Sequence, residues 1–310
     1  MDKPVLIIIG PTAVGKTAIS FKLANRLKNV EIISADSRQV YKYMDIGTAK
    51  PRKDELEKVN HYFIDIKLPD EYYSAGMYGR DARKKIEQLF ESGKTPIVVG
   101  GSGLYIRALV DGFFEKRIAD AEVRQRLKNE LQQHGVTPLY ERLQQVDEIT
   151  AGKIHHNDGQ RIVRALEVYE LTGKPLSKFQ KETSVKADFI PVFVGLNRER
   201  KLLYQVVEKR VDLMIKNGLV DEVSKLKEMG FVPPLNSLRT VGYRETFEYL
   251  ANKIDFSEMV RLIKQRSRNY AKRQLTWFRQ DKRIKWFNLD DYEEDRERLV
   301  EQVIEIVSAS

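Results

Sequence analysis

Apolar and polar positions alternate along the first hundred residues in two distinct patterns. Short apolar runs rich in β-branched residues are typical of buried strands, and apolar residues at helical spacing separate them. The strand candidates are Val5–Ile9, Val30–Ser34, His61–Ile66 and Thr95–Val99, and the clearest helices between them are Ala18–Leu27 and Gly79–Glu91. This alternation predicts a parallel sheet with right-handed helical crossovers.

The pattern changes near Glu115, where strand-like runs stop. Helices are predicted at Asp120–His134, Pro138–Gln145 and Gly159–Thr172, and Gly173-Lys174-Pro175 is predicted to close the stretch. An apolar strand returns at Phe189–Leu196, followed by long helices, a last strand at Ile284–Phe287 and a terminal helix at Glu293–Val307. We therefore predict a core formed by residues 1–115 and 189–310, interrupted by a helical insertion domain at residues 116–188.

A phosphate-binding motif stands between the first strand and the first helix. Its residues, Gly10, Pro11, Thr12, Ala13, Val14, Gly15, Lys16 and Thr17, match G-x-x-x-x-G-K-T. Loop N–H groups, the helix start and the Lys16 ammonium would hold a di- or triphosphate, and the Thr17 hydroxyl would bind Mg²⁺. The predicted fold is accordingly α/β, with a P-loop NTPase-like parallel sheet core.

The ends of the other strands should meet the same crevice. Asp36 follows the second strand, where it could hold Mg²⁺, act as a general base, or cap a turn. The strand Thr95–Val99 ends in Gly100-Gly101 instead of an acidic residue, which argues against an ATPase or GTPase with a standard Walker-B acid. Asp45 lies in a loop and is a further candidate carboxylate.

Composition and charge indicate the cellular compartment and the class of binding partner. The chain has 310 residues, a formal net charge of +9 and no cysteine. With no apolar run of membrane-spanning length and a first strand that begins almost at the N-terminus, we expect neither a membrane span nor a signal peptide. The absence of cysteine fits the cytoplasm, and we expect a monomer. The net charge favours a polyanionic partner.

Two features fit that partner but also have a structural alternative. The segment 261–285 carries many Lys and Arg residues interleaved with Tyr270, Trp277 and Phe278, which is typical either of a nucleic-acid surface or of a solvated helix face. Clusters at 157–164 and 239–244 combine arginines with an amide or an aromatic side chain, and either could contact RNA or form internal ion pairs.

Together these motifs resemble the bacterial tRNA dimethylallyltransferase (tRNA isopentenyltransferase) family. The resemblance rests on the P-loop, the DSRQVY run from Asp36 with residues 45–51, GGSGLY from Gly100, residues 158–164 and 239–244, and Lys272-Arg273-Gln274 with Thr276-Trp277. These motifs span nearly the whole chain, in order. Ser102 departs from the threonine common in the family, but the hydroxyl is kept.

The resemblance implies transfer of a dimethylallyl group from dimethylallyl diphosphate to the exocyclic amine of the adenine just 3′ of the anticodon. It implies Asp36 as general base, Lys16, Thr17 and Arg210 at the diphosphate, Mg²⁺ as cofactor, and an insert that grips the tRNA anticodon stem-loop. The residues that it implies in tRNA contact are Asp36, Ser37, Arg38, Gln39, Ser102, Arg124, Gln160, Arg161, Ile162, Val163, Arg164, Arg239, Thr240, Val241, Gly242, Tyr243, Arg244, Lys272 and Arg273.

Three other functions are compatible with parts of the sequence. A P-loop small-molecule kinase would leave the RNA-type clusters unexplained. A prenyltransferase acting on free adenine nucleotides would not need the long helical insert. An RNA-binding protein with a vestigial P-loop would not need intact Lys16, Thr17 and Asp36.

Overall fold

The computed structural model describes residues 3–113, 118–183 and 185–310 of the chain. The chain divides into two compact units, one formed by Met1–Val110 with Ala187–Ser310 and the other by Asp111–Lys186. The sequence analysis places the first boundary of the insert between residues 115 and 116, which lie outside the described residues. Its second boundary, after residue 188, lies beside the observed one.

The larger unit is built on a parallel sheet. Its strands are β1 (Pro4–Ile9), β2 (Val30–Ala35), β3 (His61–Tyr62), β4 (Thr95–Gly100), β5 (Ile190–Asn197) and β6 (Lys285–Asn288). Their order is β3-β2-β4-β1-β5-β6, and every pair is parallel. The segments that follow β1, β2, β4 and β5 therefore leave the sheet at the same edge.

Helices alternate with these strands. They are α1 (Lys16–Arg26), α2 (Lys53–Leu56), α3 (Ala75–Glu91), α4 (Gly103–Val110), α5 (Ala121–His134), α6 (Thr137–Val146), α7 (Glu148–Ala151), α8 (Gly159–Thr172), α9 (Leu176–Thr183), α10 (Arg200–Lys216), α11 (Leu219–Glu228), α12 (Tyr243–Leu250), α13 (Phe256–Phe278) and α14 (Arg296–Ser308). Helices α5–α9 belong to the smaller unit.

Helices cover both faces of the sheet. Because side chains alternate along a strand, Ile7 and Ile9 of β1 pack in one buried cluster with Tyr78 of α3, whereas Ile8 packs in another with Ile19 of α1. The second cluster also contains Val303 of α14. The predicted α/β, P-loop NTPase-like core is confirmed.

The smaller unit is helical and has its own core. Leucines on α5 and α6 pack against Ile162 and Leu166 of α8. Helix α9 is not among the predicted helices; it begins directly after the connector 173–175. The glycine-proline connector ends α8 at Gly173 without preventing a new helix from starting.

The third predicted strand is much shorter than expected. It was predicted to run to Ile66, but β3 ends at Tyr62. Phe63 and Asp65 adopt left-handed backbone conformations, with φ of 65° and 55°, and such residues cannot continue a strand. Among the described helices, none is long and apolar enough to cross a membrane.

Candidate functional site

The phosphate-binding loop joins β1 to α1 at the edge where the strands end. Gly10 has φ of 153°, and a Cβ there would lie 2.5 Å from the carbonyl oxygen of Leu196 at the end of β5. Only glycine therefore fits between the loop and the neighbouring strand. Lys16 is the first residue of α1, so the loop and the helix N-terminus form the arrangement that favours a bound phosphate.

Lys16 is a cation held against the loop. Its ammonium donates to the carbonyl oxygens of Gly10, at 3.1 Å, and Pro11, at 2.8 Å. Burial lowers the pKa of Lys16 to about 8, the carboxylate of Asp36 opposes that shift, and the guanidinium of Arg210 adds to it. Burial likewise lowers the pKa of Arg210. Asp36 and Arg210 line one cavity together with Thr12 and Ala13 of the P-loop, which places both charges near Lys16.

Asp36 begins the turn that follows β2. Its Oδ1 accepts hydrogen bonds from the backbone N–H groups of Arg38, at 2.8 Å, and Gln39, at 3.4 Å. The capping role considered from the sequence is thus present in the structure. The same carboxylate lines a cavity of about 310 Å³ and, after burial, is the next largest cause that raises the pKa of Tyr270, to about 12. Asp36 therefore combines a turn contact with access to the cavity.

Ser102 ties this turn to the turn after β4. Its Oγ accepts a hydrogen bond from the Ser37 N–H at 2.8 Å and donates to the Ser37 hydroxyl at 3.2 Å. Ser102 is 8% exposed. The resemblance implies contact of Ser102 with tRNA. In this structure the Ser102 hydroxyl bonds to Ser37, which lines the cavity, and it therefore positions Ser37 there.

The loop at residues 45–48 is anchored by a carboxylate that the sequence analysis missed. Glu222 of α11 accepts hydrogen bonds from the N–H groups of Asp45, Ile46 and Gly47 and from the hydroxyl of Tyr243. A Cβ on Gly47 would lie 2.4 Å from the Tyr243 ring. Nothing in the local sequence pairs Glu222 with this loop, because α11 follows it by more than a hundred residues.

The same loop contacts Arg210. Its Thr48 carbonyl oxygen accepts hydrogen bonds from the Arg210 guanidinium, at 3.4 Å, and from the Gln39 side-chain amide, at 3.3 Å. Asp45 is exposed and pairs with Lys50 at 2.6 Å, so its carboxylate does not line the cavity. Of the two carboxylates singled out in the sequence, Asp36 alone lines it.

Two helices supply most of the remaining cavity wall. On α10 the lining residues are Val207, Arg210, Val211 and Met214, and on α13 they are Ile263, Ser267, Tyr270 and Arg273. Both sets recur every three or four residues, which places each on one helix face. The sequence analysis identified Arg210 and Arg273 but missed their apolar neighbours. The helical stripe was the available signal, although it equally predicts ordinary core packing.

The 239–244 segment contributes to the site unevenly. Arg239, Thr240 and Val241 line the cavity, and Arg244 is exposed and pairs with Glu248 at 3.0 Å. Gly242 is buried, and Tyr243 is fully buried with its hydroxyl bound to Glu222. The expected contact of the Tyr243 side chain with tRNA is therefore not available in this structure, because that side chain supports the 45–48 loop.

The residues of the smaller unit that were predicted to contact tRNA also divide into exposed and buried ones. Gln160 and Arg161 are exposed at the N-terminus of α8, whereas Ile162 and Val163 are buried in the helical core. The side chains of Ile162 and Val163 cannot reach a ligand from the core, since a helix of this kind packs one face inward. Arg124 and Arg164 both pair with the fully buried Glu167, at 2.8 Å and 2.7 Å, so these arginines also satisfy a buried charge.

The basic residues of α13 are mostly used within the protein. Lys264 pairs with Asp212 at 2.6 Å, and Arg268 pairs with Glu208, both on α10. Lys272 and Arg273 form no ion pair within the described residues, and Arg273 lies over the Tyr270 ring at 5.8 Å from its centroid. The two interpretations of this segment thus apply to different parts of it, and only its C-terminal part keeps cations available for a polyanion.

The side chains near the P-loop could bind Mg²⁺ only together with the oxygens of a bound phosphate. Among the described residues, no group of three or more His, Cys, Asp and Glu side chains could hold a metal by itself. Thr17 is exposed in the first turn of α1, and Asp36 lines the adjoining cavity. A hydroxyl, a carboxylate and phosphate oxygens are the kind of ligands that Mg²⁺ takes alongside water.

Comparisons with known proteins agree over nearly the whole chain. The IPP transferase family profile matches residues 39–281. The tRNA dimethylallyltransferase of Carboxydothermus hydrogenoformans is 46% identical over 306 residues, covering 98% of this chain and 97% of that protein. The protein of the same name from Thermotoga maritima is 46% identical over 303 residues, covering 97% and 98%.

Solved structures give the same picture. The full-length tRNA isopentenylpyrophosphate transferase from Bacillus halodurans is 38% identical with a TM-score of 0.73, covering 100% of this chain and 98% of that one. A eukaryotic dimethylallyltransferase acting on tRNA is 29% identical with a TM-score of 0.78, covering 96% of this chain and 78% of that one.

Proposed function

The chain belongs to the IPP transferase family, and from that premise we propose that it is a tRNA dimethylallyltransferase. It transfers a dimethylallyl group from dimethylallyl diphosphate to the N6 amine of the adenine just 3′ of the anticodon and releases diphosphate. One observation carries the proposal. A single cavity is lined by Thr12 and Ala13 of the P-loop, the Asp36 carboxylate, the Arg210 guanidinium and the apolar face of α10, and Lys16 bonds to the carbonyls of the same loop.

The donor suits this cavity in both of its parts. A diphosphate is attracted by the P-loop, by Lys16 and by the Arg210 guanidinium. The five-carbon tail is apolar and finds matching side chains in Val207, Val211 and Met214. A small-molecule kinase would bind the molecule that receives the phosphoryl group in this cavity. The side chains of Val207, Val211 and Met214 offer that molecule no hydrogen bonds.

The residues divide the reaction between them. The amine nitrogen attacks the first carbon of the dimethylallyl group, forming a C–N bond while the C–O bond to diphosphate breaks. Lys16 and Arg210 stabilise the charge that develops on the departing diphosphate. Asp36 accepts the proton that the amine loses, so the carboxylate becomes neutral as the product forms. Mg²⁺ held by Thr17 and the diphosphate would neutralise further charge on the leaving group.

The acceptor is a tRNA anticodon stem-loop. The reacting amine lies on a base edge, and a stacked base must be extruded before the half-buried Asp36 carboxylate in the cavity can reach it. Arg239, Arg273 and Tyr270 line the cavity and offer charged and aromatic contacts to such a base. The exposed residues Gln160 and Arg161 give the helical unit a means to bind the stem-loop.

A labelled-donor experiment tests this function. The protein is incubated with tRNA, Mg²⁺ and dimethylallyl diphosphate carrying a label in its prenyl group, and the tRNA is then digested and its nucleosides separated. We expect label in an N6-substituted adenosine adjacent to the anticodon, and none when free AMP replaces tRNA. Label transfer to AMP instead of tRNA, or phosphate transfer from labelled ATP, would contradict the proposal.

The exposed cations of α13 give a second test. Replacing both Lys272 and Arg273 with alanine should weaken tRNA binding and make it less dependent on salt. For two lost phosphate contacts on a single-stranded loop, the slope of log affinity against log salt should fall by about 1.4. The measurement is tRNA affinity at several salt concentrations.

The matched control removes the same number of charges from the same helix. Lys264→Ala with Arg268→Ala deletes two cations that already pair with Asp212 and Glu208. We expect this variant to keep the wild-type slope. Equal slopes for both double variants and the wild type would show that Lys272 and Arg273 make no phosphate contact.

A further inference from the structure

One helix contacts the glycine-rich turn that follows β4 at two positions. A Cβ on Gly101 would lie 2.4 Å from the Nε2 of Gln274, and a Cβ on Gly103 would lie 2.2 Å from the indole nitrogen of Trp277. Both glycines follow β4, and both contacting residues lie on α13. The missing side chains at the two glycines therefore allow α13 to approach the turn at two successive positions.

Gln274 makes two directed hydrogen bonds at this contact. Its Oε1 accepts from the backbone N–H of Thr12 in the P-loop at 2.8 Å, and its Nε2 donates to the carbonyl oxygen of Gly101 at 2.8 Å. The residue is 7% exposed. An N–H requires an acceptor and a carbonyl requires a donor, so an amide fits this position and neither a carboxylate nor an apolar side chain does.

The first of these bonds acts on Lys16 through one peptide group. In a trans peptide the C=O of one residue and the N–H of the next point in opposite directions. The Gln274 oxygen holds the Thr12 N–H, and this fixes the Pro11 carbonyl that accepts from the Lys16 ammonium at 2.8 Å. A rotation of this peptide would move the carbonyl away from Lys16.

The same helix also faces the cavity one turn earlier. Tyr270 precedes Gln274 by four residues, and both Tyr270 and Arg273 line the cavity. Given the proposed function, we infer that Gln274 is a positioning residue that fixes the P-loop peptide beside Lys16 relative to the acceptor-contacting face of α13. It links the geometry of the donor diphosphate to that of the tRNA base.

Gln274→Glu tests the hydrogen bond that the Gln274 side chain donates to the Gly101 carbonyl oxygen. The carboxyl group keeps the shape of the amide but can donate to Gly101 only when it is protonated, and burial favours that neutral form. We expect kcat/KM for dimethylallyl diphosphate to fall about 10-fold at pH about 8, because a carboxylate would face a carbonyl oxygen. The loss should shrink as the pH is lowered to about 6.

Two further variants separate positioning from folding. Gln274→Leu removes both hydrogen bonds, so its loss should be the same at both pH values. Gln265→Glu makes the same chemical change at an exposed position of α13 and should behave like the wild type. Thermal unfolding of all variants, monitored at both pH values, reports any general loss of stability.

Binding of inorganic diphosphate, measured by calorimetry, supplies a readout that does not need the reaction. We expect weaker binding by Gln274→Glu at pH about 8, recovery at pH about 6, and unchanged tRNA affinity. Wild-type affinity in Gln274→Glu and Gln274→Leu, or a loss explained fully by unfolding, would overturn the inference. If the wild type binds diphosphate but transfers no prenyl group, the proposed function fails while this binding test still decides the role of Gln274.

Discussion

Asp36→Asn should reduce turnover about 10²- to 10⁴-fold while tRNA affinity stays near that of the wild type. Asparagine keeps an Oδ1 that can accept from the Arg38 and Gln39 N–H groups, so the turn after β2 remains intact. What is lost is the negative charge and the capacity to take a proton from the amine. The measurement is single-turnover transfer to tRNA at saturating donor, with tRNA affinity measured separately.

The chain offers a matched carboxylate as the control. Asp45 follows the same DSRQVY run but is exposed, pairs with Lys50, and does not line the cavity. Lys50 also pairs with Asp65, so Asp45→Asn leaves that cation with a partner. We expect Asp45→Asn to retain most activity. Equal losses in the two variants, or full turnover in Asp36→Asn, would exclude Asp36 as the general base.

The sheet and its helices were predictable because their signals are local. The buried strands are continuous apolar runs, and Asp120 and Asp158 cap helices whose apolar spacing is regular. The shortening of β3 was not predictable, because the segment after it bonds to a part of the chain distant in sequence: the N–H groups of Asp65 and Ile66 donate to the carbonyl oxygens of Gln39 and Val40. Phenylalanine gives no sequence signal for a left-handed conformation, although aspartate adopts it more often than most residues.

The site was predictable where its residues are adjacent in sequence. The P-loop and the turn at Asp36 follow directly from motif and position. Glu222 could not be predicted, because it meets the 45–48 loop only after the sheet has folded. Tyr243, Ile162 and Val163 show the converse difficulty: their motifs identify a segment, but only the fold decides which side chains of that segment face inward.

Ion pairs within the protein also change how the net charge of its basic helix is interpreted. The run of basic residues on α13 suggested a long RNA-binding face, yet Lys264, Arg266 and Arg268 each pair with a carboxylate of the neighbouring helices. Formal charge counts these residues as available, whereas a carboxylate beside each of them already neutralises part of its charge. On this helix the cations left for the proposed tRNA contact are therefore Lys272 and Arg273, and Arg273 lines the cavity.

Lys16→Ala should lower kcat about 10²- to 10³-fold and weaken donor binding, since it removes a preorganised cation from the leaving diphosphate. tRNA affinity should change little, because the Lys16 ammonium bonds to the P-loop carbonyls. The proposed phosphate contacts with tRNA are made by the exposed cations of α13 instead. The measurements are steady-state kinetics with varied dimethylallyl diphosphate and separate tRNA binding. Lys22→Ala, on the same helix, removes a lysine that pairs with Glu297 at the surface and should keep wild-type kinetics.

The pH profile identifies the charge itself. Burial lowers the pKa of Lys16 to about 8, so the ammonium is present below that pH and is lost as the pH rises through it. kcat/KM for the donor, which reports the free enzyme, should therefore decrease above pH 8 in the wild type. Lys16→Ala should lack this decrease, because it has no ammonium to lose. A decrease of the same size in the variant would assign the titration to another group and remove the Lys16 charge from the mechanism.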